Sequence, residues 1–539
     1  MPPTRTTSES RRGLARIATN YSRLALTLAF GLVQIPILYT GLGKDAFGVW
    51  GLLISTGGIA GMFREVVMRG LNRELGEAFH SGSDSTFRET FRAACVVCAG
   101  LTAGAALLFA AMIAIVPLFN VPDHLVAPAR WALVGRGLFT CVVLCLTPTI
   151  NILIVSERMT LHNAWVTIER AAPLTVAVVL FPVLAIDDPG RGLTLFGLWS
   201  GAGMGAIAVL AAAAMIALDR RTIPTLGRAA RGPLRSILTT GGWNAAVTVA
   251  LNLHLRLANI ILNLAFNQST ALTLNSVYTI AIQLTSYARM ATVGMTDGLD
   301  AVAARLSTTE STLDRLRRLS RASTRLHALV ALPAALAIGV LVEPLLMVWV
   351  ADRFENPDVE LPLAVATIRL LALGMAARSV SDGWIRLLYG AGYVSRYAPL
   401  ILVGGLGNPV LAIALIIAAK GGLLPDSIAF YAPAIAYSAI FIVVHVVLLS
   451  RIAGRCLEES TAQTLAPIGR PLFITLLASP MLWLPGWLGI TGDWLVILGA
   501  GAGYTGVFAP LAWFVVLSAG ERQRIARKLL GRGAEPDSD

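Results

Sequence analysis

Lysine is nearly missing from this chain: Lys44, Lys420 and Lys528 are its three lysines, set against 40 arginines in 539 residues. Charge of both signs together makes up 14% of the sequence, and there are six histidines and five cysteines. Each scarcity excludes a class of protein. A soluble surface ordinarily carries about a quarter to a third charged residues, more than this chain can supply. Cys95 and Cys98 form a C-x-x-C pair, and Cys141 and Cys145 lie one helical turn apart. All four sit inside apolar runs, where a thiol acts as a small apolar filler. No histidine or second cysteine pair stands at metal-ligand spacing, so neither a metal nor another cofactor is expected. No G-x-x-x-x-G-K-[ST] element occurs, which argues against a P-loop ATPase.

What the chain has instead is apolar length. Hydrophobic residues make up 56% of it, with 50 glycines, which membrane helices tolerate. A span needs roughly 20 apolar residues. Fourteen stretches qualify, at 21–42, 46–63, 93–118, 131–155, 163–186, 193–217, 237–265, 272–298, 327–350, 363–389, 397–419, 428–450, 470–490 and 494–518. Arginine and lysine concentrate in every second connection, about 29 on one side, against few on the other, among them Lys44, Arg191, Arg353 and Lys420. The sparse side is acidic, as in Asp187-Asp188 and Asp352 to Glu360. Basic loops stay in the cytoplasm, so both termini are expected inside and the chain in a bacterial inner membrane. Arg11, Arg12 and Arg16 precede the first run as in a signal peptide, but that run is too long and lacks a cleavage site. A retained anchor follows. In a soluble protein the net charge of +12 would point to nucleic acid. Here it follows from orientation and from attraction to anionic membrane lipids, and no nucleic-acid partner is expected.

An internal repeat organises the spans. Phe119-Asn-Val-Pro122-Asp123 after the third and Phe354-Glu-Asn-Pro357-Asp358 after the ninth share F-x-x-P-D at an offset of 235 residues. The same offset lays spans 1–6 on spans 7–12. With an even number of spans per half, the repeat axis runs along the membrane normal. The expected fold is therefore all-α and polytopic: two six-helix bundles related by a parallel repeat, plus two extra C-terminal helices. The domains read as a cytoplasmic tail 1–18, an N-terminal lobe 19–217, a linker 218–236, a C-terminal lobe 237–450, a connector with helices 13 and 14 at 451–518, and a basic tail 519–539. The basic stretches 299–326 and 522–530 read as interfacial amphipathic helices or plain basic anchors.

Polar residues at bilayer depth are costly and usually face a cavity. In span 7, Asn244, Thr248, Asn252, Arg256, Asn259 and Asn263 step by three or four and share one helical face. Hydrogen bonding between helices explains two or three such residues; a full-length stripe with an arginine favours a cavity lining. His254 lies off the stripe and reads as core. In span 10, Arg378, Asp382 and Arg386 follow at i, i+4 and i+8, with Arg369 above. Span 8 adds Arg289 and span 5 adds Glu169-Arg170. Buried cations outnumber anions, so an anionic passenger is expected, with arginine as the bidentate fork for phosphate. The expected cleft lining is Arg256, Arg378, Asn252, Asn259, Asn263, Gln34, Arg289 and Arg170. Asp382, Glu169 and Asp297 are candidates for a coupling-ion site, and Pro36, a helix breaker beside Gln34, for a hinge.

Asn20, Gln34-Ile-Pro36-Ile-Leu38, Leu42-Gly43, Phe47-Gly48-Val-Trp50 and Gly70-Leu-Asn-Arg73 resemble the opening of the Wzx-type polysaccharide flippases. These belong to the multidrug/oligosaccharidyl-lipid/polysaccharide (MOP) exporter superfamily. The chain departs from their pattern at Phe63-Arg64-Glu65, where an acidic-glycine element is common. The resemblance implies a non-enzymatic transporter flipping a polyprenyl-pyrophosphate-linked oligosaccharide to the outer leaflet for surface polysaccharide assembly. Partners would be that substrate, membrane lipids, and a polysaccharide polymerase with chain-length machinery. A drug or cation exporter of the same superfamily would want an acidic cleft. A membrane glycosyltransferase or polymerase would want a sizeable outer loop, and a scaffold leaves the span-7 stripe unexplained.

Overall fold

The computed structural model describes residues 5–296, 299–306, 312–487 and 493–529. Among these the chain is helical throughout, with no strand. The first helix, α1 (Arg5–His80), breaks at Gly43, whose φ of 70° and ψ of 169° only glycine adopts readily, so its two limbs serve as two crossings. Then come α2 (Asp84–Ile115), α3 (Asp123–Val155), α4 (Met159–Val178), α5 (Pro189–Leu218), α6 (Arg231–Ala265) and α7 (Gln268–Thr296). A short α8 (Leu299–Leu306) precedes α9 (Thr312–Trp349), α10 (Pro357–Gly390), α11 (Val394–Lys420), α12 (Ser427–Ile440) and α13 (Leu449–Leu457). The chain closes with α14 (Thr461–Ala478), α15 (Pro480–Trp487), α16 (Trp494–Leu511) and α17 (Ala519–Leu529). Among the described residues twelve helical stretches are long and apolar enough to cross a membrane; one of them, Ser22–His80, is 59 residues long and carries the break. Counting it twice and adding the more polar, 29-residue α7 gives the fourteen expected crossings.

Helix starts follow local chemistry. Ser83 accepts from the Thr86 amide at 3.3 Å, Asp188 from that of Arg191 at 2.5 Å, and Ser460 with Gln463 forms a capping box. The repeat is visible in the main chain. Each F-x-x-P-D follows a 3₁₀ turn, Val116–Leu118 or Ala351–Arg353, and its Pro-Asp opens the next helix. At the other end of that helix, Glu157 (φ 58°) and Gly392 (φ 82°) take the left-handed conformation 235 residues apart. Arg158 N donates to Leu153 O at 2.8 Å and Tyr393 N to Leu388 O at 2.9 Å, while Glu157 N donates to Ile154 O and Gly392 N to Tyr389 O. Both ends are thus the same Schellman stop, built from different residues.

The helices group into two compact units. The first comprises Met1–Tyr287, Arg353–Thr367 and Val394–Ile440; the second, Ala288–Asp352, Ile368–Tyr393 and Phe441–Asp539. Within the first, Leu71, Phe87, Phe91, Cys95, Cys98 and Trp165 belong to one apolar core. At its edge Arg221 pins the start of the linker. It donates to both Asp219 oxygens, pairs with Asp84 at 2.7 Å, and lies over the Phe79 and Phe87 rings. Hydrogen bonds from Arg221 hold the Asp219 carboxyl below the usual carboxylate range. Within the second unit, α9, α14, α15 and α16 share an apolar contact through Leu336, Ala478, Leu482 and Tyr504. Of the basic stretch 299–326, read as an interfacial amphipathic helix or a plain basic anchor, Leu299–Leu306 is the short α8 and the part from Thr312 on forms the first turns of α9. Arg317 is drawn inward there, its Nε donating to the Leu457 carbonyl at 2.7 Å, and Arg321 pairs with Glu459 at 2.6 Å.

Candidate functional site

Close helix packing in the first unit sets four arginines near one another. The second limb of α1 carries Arg64 and Glu65, α3 carries Arg136, α4 carries Glu169 and Arg170, and α6 carries Arg256. Arg136 stands between Gly135 and Gly137. A Cβ on Gly135 would lie 2.1 Å from the Gly197 carbonyl oxygen, and one on Gly201 would lie 2.1 Å from that of Gly135. The backbones of α3 and α5 therefore touch, as small residues allow in membranes. Arg256 lies against Gly58 of α1, where a Cβ would come within 2.2 Å of its Nη1. Its hydrogen bond to the Ile54 carbonyl is long, at 3.4 Å. Arg64 covers the Trp165 ring at 5.5 Å and Arg136 the Phe139 ring at 5.7 Å.

These groups feel one another electrostatically: Arg136 with Arg256, Arg170 and Glu169; Glu169 with Arg64, Arg170 and Arg136; Arg256 with Glu65 and Arg170. Among the described residues none of the four guanidiniums forms an ion pair within 4 Å. Four arginines against two carboxylates leave a surplus of two positive charges. Arg170 is exposed, Arg64, Arg136 and Arg256 are half-buried, and Glu169 is buried. The Nε of Arg136 is buried and meets no acceptor among the described residues. Such an arrangement can attract and orient a compact anion.

The span-7 stripe divides along its length. Asn259 and Asn263, expected to line a cleft, are 1% and 0% exposed and serve helix packing. Asn259 Nδ2 donates to the Gly51 carbonyl at 3.1 Å and to Ser55 Oγ at 3.0 Å. Asn120 donates its amide to Asn263 Oδ1 at 2.9 Å and its side chain to the Asn263 carbonyl at 2.6 Å. At this end α1 and the 119–121 loop cover the stripe. Asn252, half-buried, donates to Glu65 at 2.9 Å beside the arginines. The side chain of Asn244 lies outside the described residues, and buried His254 meets the Tyr437 ring edge-on.

In the second unit buried charges are mostly matched. Asp382 binds Arg289 of α7 at 2.6 Å rather than its own-helix neighbours, because the neighbouring helix brings a whole guanidinium to it. Arg386 lies 3.9 Å from Asp300, and Arg378, buried, sits over the Phe441 ring at 5.3 Å. Arg369 is exposed and donates to the Gly339 carbonyl at 2.9 Å. Gln34 is half-buried and Pro36 buried within the first limb of α1. Asp297 lies outside the described residues. Sequence reasoning passed over Arg136 and gave Arg64 no role in the site; a lone arginine between two glycines in an apolar run was the available signal for the first.

The fold is similar to that of several solved membrane transporters. The chain is similar to an inward-facing multidrug resistance MATE family transporter of the MOP superfamily (TM-score 0.64, 13% identity, 81% of this chain and 99% of that one). It is similar to the lipid II flippase MurJ in an inward closed conformation (TM-score 0.64, 10% identity, 95% of this chain and 99% of that one). It also resembles a MOP transporter from Pyrococcus furiosus whose reversed binding-pocket polarity suggests a different function (TM-score 0.50, 13% identity, 82% and 97%). No protein-family model and no curated protein matches the chain. At these identities the likeness establishes the architecture, a multi-pass helical membrane fold with two repeated bundles.

Proposed function

We propose that this chain is a secondary transporter that flips a polyprenyl-pyrophosphate-linked oligosaccharide from the inner to the outer leaflet of a bacterial inner membrane, with both termini in the cytoplasm. The observation that carries this reading is the surplus of two positive charges among Arg64, Arg136, Arg170 and Arg256. A pyrophosphate diester carries two negative charges, and arginine forks bind two phosphate oxygens at once. Asn252 and Gln34 complete the proposed passage within the first unit, with Asn259 and Asn263 supporting its wall. Pro36 is its proposed hinge, Asp382 a coupling-site candidate, and the lobes 19–217 and 237–450 its moving parts. A drug or cation exporter, the nearest alternative, would have to stabilise a cation beside four arginines, which the same electrostatics oppose. That MurJ, of matching fold, is a lipid II flippase agrees with an amphiphilic passenger.

The test is flipping of a fluorescent polyprenyl-pyrophosphate oligosaccharide in proteoliposomes at matched protein levels. A hydrogen bond to a charged group contributes about 1.5–3 kcal/mol, which is roughly ten-fold or more in affinity. Arg256→Gln should therefore slow flipping about ten-fold or more, and Arg256→Lys should recover part, since an ammonium lacks the fork. Wild-type flipping by Arg256→Gln would return Arg256 to a structural role.

A further inference from the structure

The buried carboxylate beside the arginine cluster has no committed partner. Glu169 is 9% exposed, yet among the described residues its oxygens make no hydrogen bond and no ion pair within 4 Å. It nevertheless lies in the field of Arg64, Arg170 and Arg136. Contrast Asp382, clamped at 2.6 Å by Arg289. A buried carboxylate ordinarily acquires such a clamp, because an isolated charge out of water is costly. Glu169 instead shares several cations diffusely, and so would an anion entering the cluster.

We infer that Glu169 is a resident counter-ion that competes with the passenger's phosphate oxygens for these arginines and takes up a proton when the anion binds. This rests on the anion-binding reading above. In the empty site the ionised carboxyl partly neutralises the guanidiniums. Once a dianion occupies them, Glu169 faces like charge in a buried setting, and its neutral form is the one the site accommodates. The carboxyl oxygen gains a proton from solvent, with no other bond made or broken. Linkage then fixes the converse: protonating Glu169 first strengthens anion binding by the same factor. Affinity should rise as pH falls. The groups facing Glu169 are Arg64 with Glu65 on α1, Arg136 on α3, Arg170 on its own helix and, beyond Arg136, Arg256 on α6. Tyr287 of α7 lies near Arg170, and His162, earlier on α4, lies near Arg64 and against the Trp165 ring. His162 is the rival source of any pH dependence, so the test must separate the two.

Binding to the purified full-length protein is measured by titration calorimetry with two probes, inorganic pyrophosphate and methanedisulfonate. The latter is a strong-acid dianion with no titration of its own between pH 6 and 8. Wild type should bind methanedisulfonate about five-fold or more tightly at pH 6 than at pH 8, the lower end of ordinary coupling between two ligands. Glu169→Gln should bind both probes more tightly than wild type at pH 8 and lose most of the pH dependence. A flat wild-type profile overturns the inference without any variant. So does a slope surviving in Glu169→Gln, which places the proton on His162 or elsewhere, and so does weaker binding by that variant. If Gln at 169 fails to fold by size exclusion, Glu169→Met takes its place with the same expectations. Should neither dianion bind wild type, or Arg256→Gln bind as well as wild type, the anion-binding reading itself falls. Binding that is sensitive to Arg256 but independent of pH removes the counter-ion role alone.

Discussion

Adding one methyl group at Gly201 should separate the two helices that position Arg136. A Cβ there would lie 2.1 Å from the Gly135 carbonyl oxygen and 2.4 Å from its carbon. Both obstructing atoms are main chain, so no side chain can swing aside. Ordinary contact needs roughly 3.5 Å, so α5 must retreat from α3 by about 1 Å or more. Overpacking of this kind costs about 1–3 kcal/mol. Alanine also favours helix over glycine by about 1 kcal/mol, which offsets part of that and must be controlled. Gly205, one turn along the same helix, supplies the control, since a Cβ there meets nothing within 4 Å. Gly205→Ala should melt at or slightly above the wild-type temperature. Gly201→Ala should be less stable than Gly205→Ala by about 1–3 kcal/mol, a drop of several degrees in thermal melting in detergent. Because Arg136 adjoins Gly135, anion affinity should fall with it. Equal melting temperatures for the two alanine variants would refute the backbone contact and the account of how Arg136 is held.

At Gly58 the obstructing atom is the end of a flexible side chain, Arg256 Nη1 at 2.2 Å, so Gly58→Ala should leave melting nearly unchanged while dianion affinity falls several-fold as the guanidinium is displaced. Removing one partner of the Arg289–Asp382 pair, 2.6 Å apart, should be far worse than removing both. Breaking such a pair typically costs about 3–5 kcal/mol, so Asp382→Ala should melt well below the double variant Arg289→Leu with Asp382→Leu, and the reverse order would sink the pairing argument. Asp219 gives a pH signature. Arg221 holds its carboxyl below the usual range, so the stabilisation is present above the unfolded value of about 3.9 and is lost as pH falls through the lower folded value. Asp219→Asn should therefore be less stable than wild type at neutral pH, and the gap should close in acid; a constant gap down to pH 2 would contradict it.

Much of the architecture was readable because a bilayer enforces it. Length and apolarity marked the crossings, and the F-x-x-P-D pair anticipated a repeat whose main-chain hydrogen bonds recur residue for residue around Glu157 and Gly392. Periodicity identified the polar face of α6 but could not say what covers it. Gly51, Ser55 and Asn120 cover Asn259 and Asn263, and these lie over a hundred residues away in sequence. The same limit applies to Asp382, where own-helix spacing pointed to Arg378 and Arg386 while α7 delivered Arg289. Arg136 was invisible for the opposite reason. It has no periodic companions, and its placement depends on glycine contacts between α3 and α5 that single-helix reasoning does not contain.

Buried charge by itself says little about function; buried charge that the protein leaves unmatched says more. In the second unit Arg289 has Asp382 and Arg386 has Asp300, while Arg378 rests on an aromatic face. There two of the three arginines meet a carboxylate within the unit. In the first unit two carboxylates stand among four arginines, and Glu65 is engaged by Asn252 rather than by a guanidinium within bonding range. Keeping like charges together at bilayer depth costs free energy that helix packing alone does not require. On the anion-binding proposal, something outside the chain supplies the missing negative charge for part of its working cycle. The surplus of two sets the size of that charge. On the same proposal, the burial of Glu169 sets how the site is balanced when the anion has gone, which makes the two carboxylates part of the recognition chemistry together with the arginines they accompany.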